Sequence, residues 1–484
     1  MSTAATALAE KSKGVAGMAQ IGLIGLGTMG AALALNIAEK GFNIAVFNRT
    51  TSVTQQFHAT AGALADRITP TEDLAAFVHA LDTPRAIILM VPAGAVVDAQ
   101  IEALLPLLGP DDLIIDAGNA NYNDTRRRAA LAEAEGRPFL GIGVSGGEEG
   151  ARHGPSIMGG GPRAAWDRVA PILTAIAAKF QGQACATWMG SDGAGHFVKT
   201  VHNGIEYADM QMIAETYGVM RDGLGMTAKD IGAVYERWNQ GPLRSYLIEI
   251  SGQVALATDP ETGRPMLDVI LDTAGQKGTG RWTAIEALLL GAPATAIEAA
   301  VAARNLSARK DARETGATVF GAASQRLSDG DGVIDALEQA LLAGKIACYA
   351  QGFGLLGIAS EEYDWNLPMP SVAEVWRAGC IIRSDMLDDM SAALTEDPAR
   401  SLLFAPDFTQ RIKETEAAFR KVVSLGALNG IAMPALSAAL AYVDTLRTAR
   451  GTANMLQGQR DFFGAHGFGR IDKDGQHHGP WGAH

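Results

Sequence analysis

The chain has 484 residues, 48% of them hydrophobic, and a formal net charge of −13. That is too long for one ordinary core and allows about three domains at ~150 residues each. The acidic balance argues against a nucleic-acid or anionic-membrane partner, both of which need a basic surface, so any anionic ligand must meet a local basic cluster.

Residues 1–17, MSTAATALAEKSKGVAG, lack the apolar block of a signal peptide and read as a loose extension. No run of ~18–20 apolar residues points to a membrane span. Cys185, Cys348 and Cys380 are far apart and in no metal-ligand spacing. They read as core thiols in a reducing compartment, and the protein is expected to be cytoplasmic.

A patterned segment opens at Met18. IGLIGLGTMGAALALNIAEKGFNIAVFNRT, from Ile21 to Thr50, joins a short apolar run to Gly25, Gly27 and Gly30 at G-x-G-x-x-G spacing. A helical pattern stopped by Gly41 and a second apolar run, Ile44–Phe47, follow. Strand, glycines, helix and strand in this order predict a dinucleotide site, with Gly25, Leu26, Gly27, Thr28, Met29 and Gly30 cradling a pyrophosphate at a helix N-terminus. An NAD site commonly has Asp or Glu at the end of the second strand. Here Asn48, Arg49 and Thr50 stand there, an amide, a guanidinium and a hydroxyl that suit a 2′-phosphate, so NADP is expected over NAD.

Strand-like runs recur at 85–94 (RAIILMVPAG), 111–120 (DDLIIDAGNA) and 138–150 (PFLGIGVSGGEEG), each ending in small, turn-forming residues. In an open parallel sheet these ends line the ligand crevice, placing Asn119 and Ser145-Gly146-Gly147 beside the nicotinamide; the trio equally fits a plain tight turn. Residues 18–194 thus read as a Rossmann-like, doubly wound α/β domain.

From about residue 195 the texture turns to Ala/Leu patterns of period 3.6, such as 286–303 and 411–424, predicting an all-α domain over 195–450 and a tail over 451–484. GHFVKTVHNGIEY (195–207) opens it, with Lys199, His202, Asn203 and Glu206 on one helical stripe and Val198, Val201 and Ile205 on another. A solvated face would explain the polar stripe, but His, Asn and the interior Gly204 all weaken a helix, Gly by up to ~1 kcal/mol. Something besides helix stability selects them. AGQKGTGRWT (274–283) flanks Lys277-Gly278-Thr279 with glycine, Arg304 interrupts an Ala-rich helix, and QGQRDFFGAHGFGR (457–470) carries Arg460 and His466. Each has an ordinary reading, as a loop, an ion-pair residue and a free end. Phe462, Phe463, Phe468 and Trp481 argue that the end docks on something.

Together GLGTMG, NRT, VSGGEEGARHGPSIM, GHFVKTVHNGIEY, AGQKGTG, WRAGCIIRS and QRDFFGAH closely resemble the decarboxylating, NADP-dependent 6-phosphogluconate dehydrogenases of the pentose phosphate pathway, from about Ile21 to the end. The resemblance implies that Lys199 takes the proton of the substrate's 3-hydroxyl and that Glu206 later protonates C1 of an enediol. It assigns substrate contacts to His202, Asn203, Ser145, Gly146 and Gly147. Asn119 would be shared by cofactor and substrate. Tyr207, Lys277, Thr279, Arg304 and Arg460 would form or adjoin the phosphate clamp, with His466 a further contact, and the tail would reach into the partner of a homodimer. One departure stands out: the cofactor loop, V-K-A-G in many relatives, reads Val91-Pro92-Ala93-Gly94, so backbone contacts from Val91, Pro92 and Ala93 are expected in place of a lysine.

Oxidising a β-hydroxy acid gives a β-keto acid that loses CO2 readily when a cation stands at the new carbonyl oxygen, a place protonated Lys199 would take. No Asp/Glu/His set has convincing ligand spacing, so a metal-independent reaction is expected. The alternatives are a shorter 3-hydroxyisobutyrate-type dehydrogenase, which needs neither the second half nor a phosphate clamp, and a non-catalytic NADP-binding protein.

Overall fold

The computed structural model describes residues 17–276, 278–321, 325–328 and 330–481. All of the N-terminal extension but Gly17, and Lys277, fall outside that description. Strands β1 (Ile21–Ile24), β2 (Ile44–Phe47), β3 (Ile68–Pro70), β4 (Ala86–Leu89), β5 (Leu113–Asp116), β6 (Phe139–Ser145), β7 (Ser156–Gly160) and β8 (Ala186–Gly190) form one sheet in the order β8-β7-β6-β5-β4-β1-β2-β3. β1 to β6 are parallel; β7 runs antiparallel to β6, and β8 parallel to β7. The central strands IGLI, AIIL and LIID are buried throughout, because helices cover both faces and leave no solvated side to alternate toward. Strand order reverses between β1 and β4, which leaves a crevice at their carboxyl ends.

Three helices of this half frame that crevice: α1 (Thr28–Glu39), α2 (Tyr122–Ala134) and α3 (Gly147–His153). The expected run at 85–94 is strand only over β4, since Pro92 and Gly94 cannot continue a ladder. That at 138–150 splits into β6 and α3 at Gly146, whose φ of +108° favours glycine.

The second half is helical, as expected. α4 (Ala194–Gly218) lies on β6 and β7 and packs against α5 (Thr279–Leu289), α6 (Thr295–Ser307) and α7 (Val333–Glu362); α7 also packs along α8 (Pro406–Leu428). Three expectations need correction. The run at 286–303 is two helices, because Gly291 and Pro293 break it between α5 and α6. α7 is long and apolar enough to cross a membrane, contrary to the sequence reading, but 83% of its most apolar window is buried within this fold, so it serves as a core helix. The tail is not simply an irregular end: it opens with helix α9 (Ala453–Gly464), hidden in the sequence by its glycines. All three cysteines are free and buried.

Candidate active site

The cofactor end is built by close approach. A Cβ on Gly25 (φ +103°) would collide with the Met90 carbonyl, and one on Gly30 with the Gly25 carbonyl, whereas Gly27 has nothing within 4 Å and faces open space. Gly27 also caps α1, whose first turn has neither a side-chain cap nor an acidic residue. The N-terminal amides of α1 are therefore free to meet a pyrophosphate, the fit a dinucleotide requires. Thr28 is exposed beside them, Met29 half-buried, and Leu26 buried with its N–H donated to Asn48 Oδ1 at 3.1 Å. The Asn48 amide thus shapes the glycine loop, leaving Arg49 and Thr50 exposed at the end of β2, where Arg49 makes no ion pair among the described residues. Val91, Pro92 and Ala93 form the opposite rim, after β4, and Asn119 is exposed after β5.

The stripe on α4 is not solvated. His202 and Asn203 are buried, and Lys199 and Glu206 half-buried. α4 comes this close to the sheet because β6 has Gly143 under Lys199, where a Cβ would strike that of the lysine. Lys199 Nζ donates to Ser145 Oγ at 3.0 Å and Asn203 Oδ1 at 2.9 Å. His202 Nε2 lies 3.4 Å from Ser145 Oγ and its Nδ1 3.0 Å from Asn203 Oδ1, while Glu206 follows one turn on, its Oε2 3.9 Å from His202 Nδ1. Gly204 finds its reason on the far side of the helix: a Cβ there would run into Thr283 of α5, which donates to the Thr200 carbonyl at 2.6 Å. The Ser145-Gly146-Gly147 turn is backed by Gly379, whose carbonyl a Cβ on Gly146 would meet; Gly147 faces open space.

Burial pushes the Lys199 pKa down, against the pull of the Glu206 charge. It pushes Glu206 up, partly offset by Lys199 and Arg304. His202 is driven well down, by burial and then by Lys199, so it stays neutral. The arrangement offers an amine able to act as a base and a carboxyl able to hold a proton, seven residues apart on one helix face.

Arg304 stacks over Tyr207 with its guanidinium carbon 3.7 Å from the ring centroid, and Thr279 is buried at the start of α5. Lys277, two residues earlier, lies outside the described residues. Arg460 and His466 are not brought to this cluster. Both are exposed; Arg460 donates to Gln457 of its own helix, and His466 stands edge-on to Phe463. Behind the crevice runs a buried chain of Arg128, Asp116 and His196, which nothing in the sequence announces because its members carry no local motif.

An open switch-point crevice with a lysine-bearing helix packed on its sheet is the arrangement of a nicotinamide-dinucleotide-dependent oxidoreductase. Family models for the NAD binding domain of 6-phosphogluconate dehydrogenase and for the 6-phosphogluconate dehydrogenase C-terminal domain match residues 20–190 and 195–481. The chain belongs to the 6-phosphogluconate dehydrogenase family. It is 47% identical to the decarboxylating, NAD(+)-dependent 6-phosphogluconate dehydrogenase of Bacillus subtilis, over 95% of this chain and 99% of that one. The NADP(+)-dependent enzyme of the same organism is 46% identical, over 96% and 99%. A solved 6-phosphogluconate dehydrogenase from Plasmodium falciparum superposes with a TM-score of 0.93 at 38% identity, covering 96% of this chain and all of that one.

Proposed function

We propose that this chain oxidises and decarboxylates 6-phosphogluconate to ribulose 5-phosphate and CO2, reducing NADP. The observation that carries the reading is the Lys199 ammonium site, held by Ser145 and Asn203 at the carboxyl end of β6, with Glu206 on the next turns of the same helix. Bound NADP supplies the hydride acceptor, and the rest is done by side chains. Neutral Lys199 takes the proton of the C3 hydroxyl. Once charged, it faces the C3 oxygen and stabilises the electrons left there as the C1 carboxylate departs, a place where other enzymes use a metal cation. Glu206, protonated, returns a proton to C1 of the resulting enediol. Ser145, Gly146, Gly147, Asn119, His202 and Asn203 orient the carboxylate and sugar, while Tyr207, Lys277, Thr279 and Arg304 surround the phosphate.

Overall identity does not separate NAD from NADP, since an enzyme of each kind matches equally well. The choice rests on the end of β2, where Asn48, Arg49 and Thr50 offer no carboxylate to repel a 2′-phosphate. Residues 18–194 form the NADP-binding unit, 195–450 the helical unit and 451–484 a tail that serves the partner of a homodimer. The exposed apolar residues of the tail support that assignment, and the buried, free cysteines suit a cytoplasmic location. The test is an assay of purified protein with 6-phosphogluconate and either nucleotide. NADPH and CO2 should appear in equal amounts, with NAD much the poorer oxidant; absence of both products removes the reading.

A further inference from the structure

The crevice has two loops on its rim, Val91–Gly94 after β4 and Gly118–Asn119 after β5, and one buried side chain on α2 ties them together, the first directly and the second through Asp116. Arg128 is 2% exposed at its side chain. Its Nη2 donates to the Gly94 carbonyl at 2.9 Å, its Nη1 to Asp116 Oδ2 at 3.2 Å, and its Nε to Asp98 Oδ1 at 2.8 Å. Asp116, fully buried at the end of β5, turns its other oxygen to the Gly118 N–H at 3.0 Å, and Asn119 follows, exposed on the rim. The Gly118 carbonyl lies 3.1 Å from His196 Nε2, and His196 Nδ1 lies 2.7 Å from Thr125 Oγ1 of α2. His196 sits one turn before Lys199 on α4. An unbroken polar chain thus runs from the first loop, through the second, to the helix that bears the base.

We infer that Arg128 is a positioning residue for cofactor binding, setting where the Val91–Gly94 backbone and Asn119 meet NADP; this rests on the proposed function. Pro92 has no N–H, and none of the four loop side chains is polar, so the loop can hydrogen-bond a ligand only through the backbone groups it presents. Placement then decides affinity. Among the described residues, Arg128 alone gives Val91–Gly94 a side-chain hydrogen bond. A buried guanidinium between two carboxylates contributes little net stability over an apolar replacement, and its value lies in fixing geometry. Only the planar fork of arginine reaches Gly94, Asp98 and Asp116 together; a lysine would carry the charge without the fork.

The experiment compares binding of NADP and of 6-phosphogluconate, separately, to the wild-type protein and to Arg128→Lys by calorimetry. NADP affinity should fall at least tenfold, while 6-phosphogluconate affinity stays within threefold, because among its proposed contacts only Asn119 is placed through Arg128. General loosening of the fold would weaken both alike, and that result, or unchanged NADP affinity, overturns the inference. If Arg128→Lys does not fold, Asp98→Asn is the variant to measure, since Asp98 is a third exposed and touches only one arm of the fork. NADP binding some threefold weaker supports the inference, and unchanged binding overturns it. A wild-type protein that binds neither ligand would instead refute the proposed function.

Discussion

Lys199, Asn203 and Glu206 ride on one helix whose neighbours hold them, with Lys199 Nζ 3.0 Å from Ser145 Oγ on a different element. Arg460 and His466 sit on a tail whose side-chain hydrogen bonds and ion pairs, among the described residues, close within the tail itself. The tail is nonetheless shaped. Asp461, 3% exposed, accepts from the Gly467 and Gly479 N–H groups at 2.9 and 2.8 Å and from Trp481 Nε1 at 2.6 Å, so Arg460 and His466 are presented from a built unit. Its apolar residues face outward: Met455 is 65% exposed and Phe463 73%. An ordered, undocked, apolar unit calls for a surface to cover it. The contrast separates a cluster that this chain assembles by itself from two residues that the proposed reading assigns to a partner's site.

Complementation breaks or sharpens that contrast most directly. If Lys199 is the base and Arg460 a phosphate ligand, as proposed, the Lys199→Ala and Arg460→Ala proteins should each be nearly inactive in NADPH formation. If the tail serves the partner's site, a mixed dimer has one site with both residues intact. Random pairing of co-expressed chains should then restore about a quarter of wild-type activity. If the tail folds back onto its own chain, both sites of the mixed dimer stay broken, and co-expression restores nothing.

If cofactor choice lies at the end of β2, as proposed, it is set within one chain and predicts a smaller effect. Arg49 is exposed and without an ion-pair partner among the described residues, so its loss should cost the fold little. Arg49→Ala should weaken NADP by about 1.5–3 kcal/mol, roughly 10- to 150-fold, if one charge-assisted hydrogen bond to the 2′-phosphate disappears. NAD affinity, measured by the same titration, should hardly move. Equal losses for both nucleotides would mean that Arg49 touches a part they share.

The same contrast marks what could be read in the sequence. The helical repeat alone puts Lys199, His202, Asn203 and Glu206 together, and the glycines after β1 announce a nucleotide before any packing is known. Gly204 was visible only as an anomaly, because its reason is Thr283, on a helix about 80 residues away. Arg128 could not be singled out: it reaches Asp116, Asp98 and Gly94, and nothing local distinguishes it from its neighbours Arg126 and Arg127. α5 and α6 read as one run because Ala and Leu keep the period across Gly291 and Pro293, although those two residues carry the break. α9 is hidden for the opposite reason: Gly458 weakens a helix from within and Gly464 is its last residue, so the run reads as glycine-rich tail.

The mildest test stays within the α4 stripe and asks whether its two titrating residues divide the labour. Burial lowers the Lys199 pKa and raises that of Glu206. The reaction needs Lys199 neutral, a form that grows as pH rises through its depressed pKa. It also needs Glu206 protonated, a form that shrinks as pH rises through its raised pKa. The two demands oppose each other, so full turnover should be bell-shaped in pH. Glu206→Gln keeps the shape of the side chain and removes its proton donor, which slows the late step that returns a proton to C1. The early step depends on Lys199 alone. First-turnover NADPH should therefore climb with pH and level off in both proteins, and the residual full turnover of the variant, read as ribulose 5-phosphate formed, should now do the same, with no falling limb. A falling limb that persists in Glu206→Gln would show that some group other than Glu206 supplies the acid.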